Sequence, residues 1–321
     1  MGSNWTERRV VVTGLGAVTP LGNQVDEFWQ NLLAGRCGIG RITRFDPARF
    51  DSQIAGEVKA FDPSPALPSP KEIRRTDRFS QFGLHAAWQA LRDSGLDLER
   101  VNRDEVGVLI GSGIGGLQTV SEQCQILSER GPVRLSAFMI PMLIVNMPSG
   151  IFSMYHKLRG PNFATCSACA TANHALGEAW RTVKMGDAQI MFAGGAEATI
   201  VPIGIGGFCA MKALSTRNDD PARASRPLDR ERAGFGNTLK MASLKTPSVP
   251  HAPQVSLTKS SPVTFFITRP PDFTMSPRPV TKRTPIRLSR QAPTATRRGP
   301  ETFPATIPPI VGSALVPNNT R

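Results

Sequence analysis

The sequence lacks an apolar run that could cross a bilayer. Its longest apolar region, Ala188 to Ala210, is interrupted by Glu197, Pro202 and several glycines, which suits a buried strand followed by a glycine-rich loop. A secretory signal is also missing. The five cysteines, Cys37, Cys124, Cys166, Cys169 and Cys209, are odd in number and scattered, which argues against a disulfide framework and for a reducing, cytoplasmic setting. Cys166 and Cys169 make one Cys-x-x-Cys, but the absence of a second pair argues against zinc. Its position halfway along a long chain argues against a thioredoxin-like redox motif.

Acidic residues are nearly absent from one end. Residues 237–321 hold 12 of the 38 Lys and Arg but only Asp272 and Glu301 of the 25 acids, so the net charge of +13 is concentrated there. The remaining body is close to neutral, which removes the usual argument for a nucleic-acid partner. The same segment holds 15 of the 28 prolines and only two of the 29 glycines, with no apolar periodicity. Such a composition cannot bury much surface, and a disordered tail is expected over 237–321.

The 321 residues suffice for about two domains or one large duplicated one. Arg8 to Thr13 reads as a strand buried on both faces and ending at Gly14 and Gly16. Asp26 to Ala34 reads as a helix stopped by Gly35. Thr76 is placed to N-cap a longer helix that carries Phe79, Phe82, Ala86, Ala87, Ala90 and Leu91 and ends at Gly95. His85 lies inside that helix, as a core or helix-face histidine. Val106 to Ile110 is a buried strand, Leu117 to Ser128 and Leu143 to Leu158 read as helices, and Ala188 to Gly194 as a strand. The alternation implies a layered α/β fold. Between two of these elements, Gly111-Ser-Gly-Ile-Gly-Gly116 has the spacing of a dinucleotide loop, but no acidic strand end follows at the expected distance. A sharp turn packed closely against another backbone explains the glycines.

The stretch from Gly160 to Gly186 reads as a short strand, a tight turn of small residues and a helix. Ala172, Ala175, Leu176, Ala179, Trp180 and Val183 share one helical face, Lys184 lies in the last turn and Gly186 is available as C-cap. Cys169 therefore sits at a helix N-terminus, where unpaired N–H groups and the macrodipole favour a thiolate and leave donors for an oxyanion. Local pattern also allows a buried, inert structural cysteine.

These residues carry a family resemblance. Val10 to Gly22, Gly111 to Leu117, Leu158-Arg-Gly-Pro161, Ser167-Ala-Cys169, Gly186-Asp-Ala188, Ala193-Gly-Gly-Ala-Glu197, Gly206-Gly-Phe208, Ala213 to Asn218, Ser225-Arg-Pro227 and Glu231 to Phe235 stand in the order of one family. Over about residues 8–235 the chain resembles the β-ketoacyl-[acyl-carrier-protein] synthases, type II condensing enzymes of fatty-acid elongation. The resemblance implies a thiolase-like αβαβα fold with residues 1–236 as its N-terminal half. It implies Claisen condensation of an acyl thioester with malonyl-acyl carrier protein, no cofactor, and a homodimer in the cytoplasm. Carried onto this sequence, it makes Cys169 the acyl-accepting nucleophile and Cys166 a strand residue. It assigns Ile114 and Phe208 to the acyl pocket, and Lys71, Arg74, Arg75, Arg134 and Lys212 to a basic surface for the acidic carrier protein.

In the family, condensation also needs two histidines, from a His-Gly-Thr-Ser-Thr-like loop and a Gly-His-x-x-Gly-like loop, and a lysine. None of His85, His156, His174 and His251 has either context. The match ends after Phe235, where composition changes abruptly. Residues 237–321 are thus expected to be an out-of-frame or otherwise aberrant continuation, the competing reading being a functional basic tail. An alternative function follows: a remnant or carrier-binding module limited to acyl transfer onto Cys169. Without a second half, the face carrying Ala172, Leu176 and Trp180 is expected to stay partly wet and to lower solubility.

Overall fold

A computed structural model describes residues 9–67, 69–234 and the strand 263–268. The chain divides into a unit over 1–276 and another over 277–321, the second wholly outside the described residues. Apart from that strand, the expectation of a tail over 237–321 falls on residues outside the described set, His251 among them.

The elements run β1 (Val11–Ala17), α1 (Val25–Leu33), β2 (Ile39–Arg41), β3 (Ile54–Gly56), α2 (Pro70–Ile73), α3 (Arg78–Ser94), β4 (Val106–Gly111) and α4 (Leu117–Arg130). They continue with α5 (Met139–Leu143), α6 (Met147–His156), β5 (Asn162–Phe163), α7 (Thr171–Met185), β6 (Ile190–Gly195), α8 (Pro202–Ala210) and β7 (Val263–Thr268). One sheet has the order β1-β7-β6-β4-β5, and β2 pairs with β3 in a separate ribbon. β4 is parallel to β5 and β6, whereas β7 is antiparallel to both of its neighbours.

Side-chain alternation on β4 and β6 builds two cores. Val106, Val108, Ile110, Ile190 and Phe192 pack against Leu84, Ala87 and Ala90 of α3 and Ile151 and Phe152 of α6. Leu109, Met191 and Ala193 point the other way, onto Ala175, Ala179 and Val183 of α7. The described residues thus form an α/β/α sandwich. No helix among them is long and apolar enough to cross a membrane.

Several elements differ from expectation, each for a local reason. β1 continues through Gly14 and Gly16 because α3 lies directly on it: a Cβ at Gly14 would stand 2.2 Å from Ala90 O, and at Gly16 1.8 Å from Ala86 O. β1 is also not buried on both faces, since Val12 is exposed. Asp77, not Thr76, caps α3. Its Oδ1 accepts from Phe79 N, while the Thr76 hydroxyl turns back to donate to Glu72 O and Ile73 O. The helix expected over 143–158 is α6, which begins only at Met147 because Pro148 in its first turn blocks extension backwards toward the separate α5. The glycine-rich loop after β6 is the helix α8. Burial of Ile205 with Ile42, Ala55, Ile200 and Leu214 outweighs the poor propensity of its glycines. Finally, Val263–Thr268 is a strand inside a segment expected to have none. It bonds along its full length to β1 and to β6.

Candidate active site

β5 leads out of the sheet at Phe163, and α7 returns beneath it from Thr171. The seven residues between must reverse the chain in little space. They end in a single 3-10 turn, Ala168–Ala170, with Cys169 exposed at its centre. α7 forms as its pattern requires: Ala175, Ala179, Thr182 and Val183 are buried and Gly186 closes it in the left-handed conformation. Cys166 lies beyond β5, not in it. Its Sγ is 3.5 Å from Gly113 O.

Ala168, immediately before the cysteine, has φ +49°, a left-handed backbone that costs a residue with a Cβ about 1–2 kcal/mol. The surrounding hydrogen bonds hold it there. Thr171 Oγ1 accepts from Ser167 N at 2.9 Å and donates to Ala168 O at 2.7 Å. Thr165 Oγ1 donates to Thr171 O at 3.0 Å, and Ser167 Oγ meets His174 Nδ1 at 2.6 Å.

The loop between β4 and α4 forms the opposite wall. A Cβ at Gly113 would lie 3.1 Å from Ala168 Cα, one at Gly111 2.2 Å from Thr165 O and one at Gly116 2.3 Å from Met142 O, while Gly115 has φ +78°. Close approach on every side accounts for this glycine pattern without a nucleotide. Glu197, just past β6, holds the loop from below. Its carboxylate accepts from Ser112 Oγ and Gly113 N, both at 2.9 Å, and Ser112 Oγ in turn accepts from Gly115 N at 2.9 Å. Burial pushes its carboxyl above the usual range, against the pull of these donors. Neither Thr171 nor Glu197 stands out in the sequence, though Glu197 ends the Ala193-Gly-Gly-Ala-Glu197 run.

Ile114 rides on this loop beside the cysteine turn and is 41 % exposed. Phe208 lies on α8, half-buried against a cluster with Ile42, Ala55, Ile200, Ile205 and Leu214. Lys71, Arg74, Arg75, Arg134 and Lys212 are all exposed. Arg75 stacks on the Phe138 ring at 4.2 Å, which ties the segment of Lys71 and Arg74 to the irregular stretch that carries Arg134. Lys212 follows α8 and has φ +52°. Of the histidines, His85 and His156 are packed within α3 and α6, His174 bonds Ser167, and His251 lies outside the described residues. Among the described residues no group of acidic, histidine and cysteine side chains could hold a metal ion.

Residues 7–238 match the family described as "Beta-ketoacyl synthase, N-terminal domain". The chain belongs to the β-ketoacyl synthase family. The 3-oxoacyl-[acyl-carrier-protein] synthase 2 of Coxiella burnetii is 51 % identical over 229 residues, covering 71 % of this chain and 55 % of that one. Two solved structures share the thiolase-like fold. A β-ketoacyl synthase from Burkholderia phymatum has TM-score 0.68 and 27 % identity over 82 % of this chain and 59 % of its own. A type II polyketide ketosynthase, solved with its acyl-carrier protein, has TM-score 0.64 and 25 % identity over 82 % and 58 %. The chain spans about half the length of the curated synthases it matches.

Proposed function

We propose that the chain serves the Claisen condensation of an acyl thioester with malonyl-acyl carrier protein in fatty-acid biosynthesis, with Cys169 as its acyl acceptor. The observation that carries this reading is the exposed thiol at the centre of a turn held on both sides, between Thr171 and the 112–115 loop. In the first step the Cys169 sulfur attacks the carbonyl carbon of the carrier-bound acyl thioester. A new C–S bond forms, the bond to the carrier's thiol breaks, and that thiol departs with the proton that Cys169 gives up. Ile114, on the adjoining loop, lines the path of the acyl chain, and Phe208 bounds it from α8. Lys71, Arg74, Arg75, Arg134 and Lys212 steer the acidic carrier by charge, a term that sets encounter rate more than final affinity.

A second reading limits the chain to this first step. It rests on the four histidines, none of which stands in the sequence context that malonyl decarboxylation uses in the family. Acyl carrier and malonyl carrier supplied together separate the two. A β-ketoacyl product supports full condensation, and acyl-enzyme that persists with malonyl carrier present supports the restricted reading. No acyl-enzyme and no product would overturn both.

A further inference from the structure

The hydrogen bonds around Ala168 assign a role to a residue outside the family motifs quoted above. We propose that Thr171 is a positioning residue for Cys169, its hydroxyl clamping the preceding turn so that the thiol is presented outward; the proposal rests on Cys169 being the acyl acceptor. Thr171 is the first residue of α7 and is buried, so its side chain is not a solvent group that happens to lie near. Its one hydroxyl is used in both directions, accepting from the amide before Ala168 and donating to the carbonyl of Ala168 itself. The ring thus closed encloses the one residue of the turn that has a positive φ. Ala168 has no glycine's freedom to remain there unaided. On the far side Gly113 offers backbone without a Cβ and leaves just the room that Ala168 occupies. If the hydroxyl is removed, Ala168 relaxes toward right-handed backbone and the thiol one residue later swings with it. The exposed Ser167–His174 bond is the alternative clamp, but it contacts neither the carbonyl nor the amide of Ala168.

The test uses the full chain and a probe that does not depend on any acyl substrate. Iodoacetamide alkylation of Cys169 is followed by peptide mass spectrometry, with exposed Cys37 as internal standard. Thr171→Val keeps the side-chain shape without the hydroxyl, and Thr171→Ser restores the hydroxyl. The expected result is a fall of about tenfold in the Cys169/Cys37 rate ratio for Thr171→Val, the scale of a lost hydrogen bond, with Thr171→Ser within about twofold of wild type and His174→Ala likewise. An unchanged ratio in Thr171→Val, an equal fall in Thr171→Ser, or a tenfold fall in His174→Ala would overturn the proposal. So would loss of cooperative melting in Thr171→Val alone, since the hydroxyl would then be needed for folding and not for positioning. Acyl transfer measured on the same proteins reads the acyl-acceptor assignment separately: wild-type protein that alkylates normally but takes no acyl group contradicts that assignment and leaves the clamp standing.

Discussion

His85 sits in the middle of α3 with both ring nitrogens buried and without a hydrogen-bond partner among the described residues, between Phe61 at 5.3 Å and Trp88 at 5.4 Å. Burial holds it below the usual histidine range, against a smaller pull from Asp62 in the other direction. The folded protein therefore keeps it neutral where the unfolded chain, with an ordinary value near about 6.5, begins to take up a proton. Stability is fully present above that value and falls as pH drops through it toward the lower folded value. Half-buried His156 is shifted the same way by burial. Denaturant titrations from pH 7.5 to 5 are expected to show this loss, with a slope of at most about 1.4 kcal/mol per pH unit for each histidine. His85→Phe should flatten it; an unchanged slope would contradict the assignment. At this scale the turn at Cys169 was legible, because small residues before an amphipathic helix mark a tight turn; its chemical role was not, and came only with the family resemblance. Thr171 and Glu197 were not, since a threonine or glutamate acquires its role only from backbone groups that the fold brings to it.

Elements whose ends are set by one residue were the most legible: α3 stops at Gly95 and α7 at Gly186, both left-handed. α8 was hidden because its glycines read as a loop, and only burial of Ile205 among residues from distant segments makes a helix there. The strand β7 was hidden more deeply. Four apolar residues and two threonines, set among prolines, have no local mark of their partners. Yet among the described residues β7 is the only strand that bonds to β1, and it separates β1 from β6. Proline in such a central position removes a ladder donor. Thr264, paired with both Gly16 and Gly194, is the place to try it. Thr264→Pro is expected to lower stability by at least about 2 kcal/mol, roughly 5 °C in a unit of this size, with Thr264→Ser near wild type. Thermal melting checks this, and an unchanged midpoint would show that β7 contributes nothing to holding β1.

For the molecule as a whole, the sandwich of α3 and α6, sheet, and α7 corresponds to three of the five layers that the family resemblance implies. The outer face of α7 shows it: Trp180 is 50 % exposed, with Leu176 and Ala172 only half-buried beside it. Burying such side chains is worth about 1.5–3 kcal/mol each for the large ones, so this face is expected to limit solubility. The family and fold were legible because motifs spread over about 8–235 agree in order, whereas the layers α7 would meet could not be read from residues 237–321. The central claim is that Cys169 takes the acyl group. Incubating the full chain with an acyl-carrier protein bearing a medium-length acyl thioester, then mapping the adduct by peptide mass spectrometry, tests it most directly. The expected result is one acyl group, on Cys169, lost in Cys169→Ser and kept in Cys166→Ser. An acyl group on Cys166 or another cysteine, or none at all on folded protein, would contradict it.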